Sequence, residues 1–324
     1  MSAHGIEAYA SDGTTKRITF TTVGGAVFVE RISTTTTTVQ TITYPKIASG
    51  AYLLLYRLGY GMHAVSTGTN GSGQATITIT PDVNDGGAQE TILLVFTKFV
   101  NEPDYGINYI NDNGDRVISS EYPIPQLIGY LPSPTVFDWG VNYDGYRKLE
   151  LQYSLAGFPA DAILMTSLPV SSGDTWYHNV GEANNSTYIS VYTKEGSVSL
   201  QLPVISAYRA SGQQNSTDQH GIRIWQGSPS YSLVYDSGMA VMNLHSISTG
   251  VTIASDPGGT IASFTSSVPV AVTPSCILPR FYCSVTTTFP STVRYAEVYR
   301  MMNLGGYWKL ECRLQYMDTI IWAF

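Results

Sequence analysis

The chain is poor in charge: 13% of its 324 residues are Asp, Glu, Lys or Arg, about half the usual share. Solubility must then come from Ser, Thr, Asn, Gln, Gly and exposed backbone. The 17 Lys and Arg are scattered, and the net charge is −7. A nucleic-acid groove needs clustered cations to neutralise phosphates, so this composition argues against one. Cysteine is scarce too. Cys276, Cys283 and Cys312 make an odd number, which gives no complete disulfide framework. Free, buried thiols are expected, with a pairing of Cys276 and Cys283 left open. No apolar run approaches the roughly 18 residues of a membrane helix. Met1 to His4 has no basic stretch followed by an apolar one, so no signal peptide is expected. No segment joins a 3.6-residue apolar period to helix caps, so little helix is expected.

What remains favours strands. The chain is 43% hydrophobic, with 23 tyrosines. Tyr, Thr, Val and Ile fit a pleated, half-buried surface, and tyrosine also suits contact surfaces, with its apolar body and polar tip. Period-2 alternation marks Ala75–Thr80, Lys148–Leu155, Tyr188–Tyr192, Ser197–Leu202 and Tyr307–Tyr316 as strands, with a hairpin turn at Glu195-Gly196. Ile92–Phe96 reads as a central strand, Ala51–Arg57 as a short buried run and Thr69–Gly73 as a turn. The run Thr34 to Thr38, flanked by alternating residues, reads as strand at a sheet rim. Pro123, Pro125, Pro132 and Pro134 confine their segment to loop or sheet edge.

One local pattern recurs. Tyr105-Gly106-Ile107-Asn108-Tyr109-Ile110, a turn through Gly114, and a return along Arg116–Ser120 read as a β-hairpin. His4-Gly5-Ile6-Glu7-Ala8-Tyr9 opens in the same way and turns at Asp12-Gly13. His220-Gly221-Ile222-Arg223-Ile224-Trp225 opens a third copy that returns along Leu233–Ser237. Gly5 and Gly106 are 101 residues apart, Gly106 and Gly221 are 115 apart, and Gly5–Gly13 and Gly106–Gly114 both span 8. A hairpin recurring at domain-sized intervals is expected to open a domain each time, with the five glycines as its markers. The expectation is an all-β chain of tandem β-sandwich domains, Ig-like or related. The divisions fall at 1–102, 103–218 and 219–324, the second inside the polar linker Arg209–Gln219.

No catalytic constellation emerges, and the chain is expected to be non-enzymatic, with no cofactor and no metal. His4, His63, His178, His220 and His245 form no pair at metal-ligand spacing. Asp82–Gly87 and Asn111–Asp115 are rich in oxygen but read as turns. Asp161, Asp174, Glu182 and Glu195 lie in the segment that holds Trp176 and Tyr177, and acids beside aromatics describe a sugar-cleaving site and an ordinary loop equally well. Trp139, Trp176 and Tyr177 are the candidate surface aromatics for a carbohydrate platform.

The Gly-Ile strand, the Asn- or Gly-containing turn and the return ending in Asp-Ser or Ser-Ser resemble a signature of minor structural proteins of tailed bacteriophages. The best stretches are Tyr105–Ser120 and Gly221–Gly238, and the likeness covers about 50 of the 324 residues. The first copy lacks the Asp-Ser ending, and no heptads or Gly-X-Y repeats of a fibre shaft are present. The resemblance implies a compact, non-catalytic virion component at the tail tip or fibre attachment region, made in the host cytoplasm. It implies other tail proteins as partners, a homo-oligomer of three- or six-fold symmetry, and a host-surface glycan or protein as a further contact, with neither nucleic acid nor membrane. A carbohydrate-binding adhesin and, behind it, a capsule or lipopolysaccharide depolymerase are the alternatives.

Overall fold

The computed structural model describes residues 7–9, 16–19, 27–48, 54–58, 64–80, 91–97, 108–110, 116–119, 123–141, 145–170, 174–194, 201–209, 222–226, 232–236, 238–240, 242, 251–256, 259–269, 282–286, 292–304 and 307–316. Every regular element among them is a strand, and every strand-to-strand pairing is antiparallel.

The chain opens with a hairpin, β1 (Glu7–Tyr9) and β2 (Lys16–Thr19). A first set follows: β3 (Val27–Thr34), β4 (Gln40–Ala48), β5 (Leu54–Leu58), β6 (Ala64–Thr69), β7 (Gln74–Thr80) and β8 (Thr91–Thr97). A second hairpin, β9 (Asn108–Ile110) and β10 (Arg116–Ser119), leads to a second set. This contains β11 (Gln126–Tyr130), β12 (Thr135–Val141), β13 (Tyr146–Ser154), β14 (Ile163–Ser167), β15 (Thr175–Ala183), β16 (Ser186–Lys194) and β17 (Val204–Arg209). A third hairpin, β18 (Arg223–Gln226) and β19 (Ser232–Asp236), precedes the third set. Its strands are β20 (Val251–Asp256), β21 (Gly259–Pro269), β22 (Tyr282–Thr286), β23 (Thr292–Leu304) and β24 (Tyr307–Tyr316).

The three hairpins found in the sequence are the three two-stranded sheets of the structure. They share more than position. Their first two pairs are Glu7↔Thr19 and Ala8↔Ile18, Asn108↔Ser119 and Tyr109↔Ile118, and Arg223↔Asp236 and Ile224↔Tyr235. The third pair in each then skips one residue of the return strand: Arg17, Val117 or Val234. A bulge at one fixed rung adds the same local twist to each copy. The marker glycines Gly5, Gly13, Gly106, Gly114 and Gly221 lie outside the described residues.

The strand sets repeat as well. The first set forms the sheets β3-β8-β5 and β4-β7-β6, and the second forms β11-β17-β14 and β12-β13-β16-β15. Apart from the extra edge strand β12, these are one arrangement. The third set runs β20-β21-β24-β23, which repeats β12-β13-β16-β15. In the second set the two sheets share a core, in which Leu149, Leu151 and Val191 meet Leu131, Ile205 and Ala207. In the first set Ile32 and Val95 meet Tyr44, Ile47, Ile77 and Ile79. Alternation explains this placing: along β13 the residues Leu149, Leu151 and Tyr153 are buried, while those between them are half-exposed.

Each later hairpin is tied to the set before it. Phe28 N donates to Pro123 O at 2.9 Å, and Leu127 N donates to Ala240 O at 2.7 Å. Pro123 and Ala240 both stand four residues beyond the end of their hairpin. At the second of these joints Gln126 Nε2 also donates to the Asp236 carbonyl at 2.6 Å.

Two readings need correction. Thr35 to Thr38 is not strand but the crossing between two sheets. Thr36 N donates to Thr34 Oγ1 at 3.1 Å and Thr38 N to Thr36 Oγ1 at 3.2 Å, so the hydroxyls replace ladder bonds. Residues 201–202, read as the end of a strand, lie outside any strand; 195–200, with the expected turn at Glu195-Gly196, lie outside the described residues. The strand holding Tyr188–Tyr192 is joined to β15 at its other end by a turn through Asn184 and Asn185 with φ of 50° and 57°. Both residues being left-handed defines a type I′ hairpin, which favours Asn-Gly. Asn185→Gly is expected to stabilise the protein by about 0.5–1 kcal/mol, and Asn185→Val to cost about 1–2 kcal/mol, measured by urea unfolding. On β24, where Lys309, Glu311, Arg313 and Gln315 alternate with the apolar residues, the Glu311 side chain is only 8% exposed.

Candidate functional site

The second and third sets join edge to edge in a nine-stranded sheet that runs across the expected division near Asp218. The joint is symmetric in kind. Counting from their turns, Ala183↔Ser186 and Leu304↔Tyr307 are the first pairs of the hairpins β15–β16 and β23–β24. Tyr177↔Val191 and Tyr299↔Cys312 are each the sixth pair, and Tyr177 is paired with Tyr299. Equivalent residues therefore meet each other, as at a two-fold axis.

A charged cluster locks this joint. The Arg300 guanidinium lies over the Trp176 ring, 4.3 Å from its centroid. Its Nε donates to Glu311 Oε2 at 2.7 Å, and an Nη lies 3.7 Å from Asp174 Oδ1. Trp176 Nε1 donates to Asp174 Oδ1 at 2.6 Å, and Tyr146 OH donates to Asp174 Oδ2. Lys309 Nζ donates to Glu311 Oε1 at 2.8 Å. Burial pushes the Glu311 pKa up, but the hydrogen bonds and charges of Lys309 and Arg300 outweigh it, and the net shift is downward. Both carboxylates are occupied by donors, so the cluster fixes geometry rather than offering a free acid or base.

This arrangement changes the reading of the expected surface aromatics. Trp176 and Tyr177 are buried, 3% and 2% exposed: Tyr177 lies in the core of the second set against Tyr299 and Met301, and Trp176 packs between Tyr192 and Val298. They do not form a platform. Burial also raises the Tyr177 hydroxyl pKa to about 12. Trp139 is at the surface, 53% exposed, on β12. Val136, Phe137 and Val141 of the same strand are exposed too, and β12 is the edge of the nine-stranded sheet. Lys148 Nζ lies 5.6 Å from the Trp139 ring centroid, and burial lowers the Lys148 pKa against the pull of Glu150. Beside the ring the register shifts, Gly140 takes φ of 78°, and its N–H donates to Asp138 Oδ1 at 3.0 Å.

The acids weighed for sugar cleavage are dispersed. Asp174 is in the lock, Asp161 pairs with Arg209 at 3.3 Å, Glu182 is exposed beside the Asn184-Asn185 turn, and Glu195 is outside the described residues. His178 is buried on β15 opposite Ser190; the other four histidines and both oxygen-rich turns are outside the described residues. Cys283 lies on β22 and Cys312 on β24, and Cys276 is outside. Among the described residues no group of three His, Cys, Asp or Glu is placed to hold a metal, and no helix is long and apolar enough to cross a membrane. Sequence reasoning missed Arg300. Its only signal was a Tyr-Arg-Met stretch next to the clearest strand of the chain.

Compared with known proteins, the chain matches no family model, no curated protein and no solved structure.

The hydrogen bonds from Arg147 and Gly140 hold the Asp138 pKa down at about 2. Asp138 is expected to stay ionised down to that pH in a carboxyl NMR titration. In Arg147→Met its midpoint should climb towards the usual aspartate value. An unchanged midpoint would show that Arg147 does not set it.

Proposed function

We propose that this chain is a non-catalytic structural component of a bacteriophage virion, at the tail tip or fibre attachment region, built as tandem β-sandwich domains. The supporting observation is the hairpin with the same skipped residue in three copies, tied to the preceding strand set by equivalent backbone bonds at two joints. Repeated modules with fixed joints make a spacer of set length and angle, which is what a structural role requires. The divisions at 1–102, 103–218 and 219–324 remain the reading of that repeat, each hairpin opening one module and bracing the one before.

The strand order supports an immunoglobulin-related module. An immunoglobulin constant domain pairs A-B-E-D and C-F-G. The second set gives β12-β13-β16-β15 and β14-β17-β11. These coincide strand for strand if β11 takes the place of G, so the module is the immunoglobulin order with its last strand moved to the front.

Partners in this reading are other tail proteins and further copies of the chain in a three- or six-fold assembly. The test is cryo-electron microscopy of particles carrying a label on this chain. Density at the tail tip or fibre base is expected, whereas normal, infectious particles assembled without the protein would overturn the proposal.

The exposed Trp139 supports a second reading, an adhesin that stacks a host-surface sugar on this ring beside Lys148. Trp139→Ala should then abolish adsorption of the purified protein to host surface polysaccharide without changing its melting temperature. Adsorption unchanged in that variant removes this reading. A depolymerase has less support, because Asp174 is held by Trp176 and Tyr146; capsule or lipopolysaccharide left intact by purified protein would end it.

A further inference from the structure

We propose that β6 is a docking edge for a second copy of this chain, the two β6 strands pairing antiparallel about a dyad. In three hairpins, β6–β7, β15–β16 and β23–β24, the second strand pairs on its far side with β4, β13 or β21. β6, β15 and β23 therefore hold one place in three copies of a sheet. Two of these strands already pair with each other inside the chain, at Tyr177↔Tyr299. Among the described residues the third, β6, is an edge paired on one side only.

The strand is built to accept a partner. Natural edges are usually blocked by charge, proline or a bulge. β4, the opposite edge of the same sheet, carries Pro45, Lys46 and a register shift. β12 carries Asp138 and a register shift. β6 reads Ala64-Val65-Ser66-Thr67-Gly68-Thr69, with no charge and no proline, and keeps six unbroken pairs with β7. Among the described residues, its side away from β7 carries a regular row of backbone donors and acceptors. A dyad is the natural operator, because the internal joint between equivalent strands is already of that kind. Such a dyad composes with a three- or six-fold axis into a dihedral assembly.

Sedimentation equilibrium of the full chain at micromolar concentration tests this. Wild type is expected as a dimer or an even multiple. Ser66→Lys puts a lysine on each of the two paired edges and should raise the dimer dissociation constant at least about tenfold. Val136→Lys, the same charge on the exposed edge β12, should leave it unchanged. Should Ser66→Lys not fold, hydrogen exchange of the wild type decides instead: the β6 amides should gain protection as concentration rises, and the β12 amides should not. A monomeric wild type, dimerisation lost in Val136→Lys but kept in Ser66→Lys, or concentration-independent exchange in β6 would each overturn the proposal.

Discussion

Replacing Arg300 with alanine is expected to cost the fold about 3 kcal/mol or more. The side chain is 20% exposed, and its partner Glu311 is 8% exposed. Truncation leaves Glu311 with Lys309 as its remaining cation and takes the charge from above the Trp176 ring. Breaking a largely buried network from one side leaves the remaining charge under-compensated, which costs more than the pair contributes net. Arg300→Lys should recover only part of the loss, since an ammonium cannot stack flat on the indole while reaching two carboxylates. A double-mutant cycle with Glu311→Gln should give a coupling of about 1–3 kcal/mol, measured by denaturant unfolding. The pH dependence has a definite sign. Glu311 has its pKa lowered below 4.5 in the folded protein. Its contribution is therefore present above that value and lost as pH falls through the lower folded one. The gap between wild type and Arg300→Ala should narrow in acid. An Arg300→Ala variant within about 1 kcal/mol of wild type would mean that the joint is held by Tyr177, Tyr299 and their core neighbours alone.

The fold was legible wherever alternation was strong. Tyr307–Tyr316 was read to the residue, and the three hairpins were found because turn chemistry and spacing recur locally. The pairing partners were not legible. β15 and β23 are more than a hundred residues apart, and nothing in either strand names the other. Trp176 is buried partly by Val298 and Arg300 across that contact, so a ring in a polar stretch read as surface. The burial of Glu311 was hidden for the same reason: period 2 sets it among polar residues, and its pairing with Arg300, which lies over Trp176 of the second set, is not written in the strand. The threonine run failed differently. β-branching argues for strand, but a hydroxyl that can bond the amide two residues on lets the chain turn between sheets.

The second large effect lies at the third hairpin, where Asp236 is 2% exposed. It accepts from Arg223 Nε at 2.9 Å and from Gly238 N at 2.8 Å. Arg223→Asn should cost about 3–5 kcal/mol, because it removes the cation that pairs with a buried carboxylate. The second hairpin carries Asn108 and Ser119 at the equivalent rung, a neutral pair. Arg223→Asn combined with Asp236→Ser imports that pair, and a serine hydroxyl can still accept from the Gly238 amide. The double variant is expected within about 1 kcal/mol of wild type, since removing both charges strands neither. Urea unfolding of the two single variants and the double closes the cycle. Recovery in the double would show that the hairpins are interchangeable parts whose common element is the bulged register. A double variant as weak as the worse single would instead mean that the third hairpin depends on its ion pair. Gln126 and Leu127 reach this hairpin through the backbone carbonyls of Asp236 and Ala240, so the joint to β11 should survive the swap. That separates what the rung contributes within a hairpin from what the hairpin contributes to its neighbour.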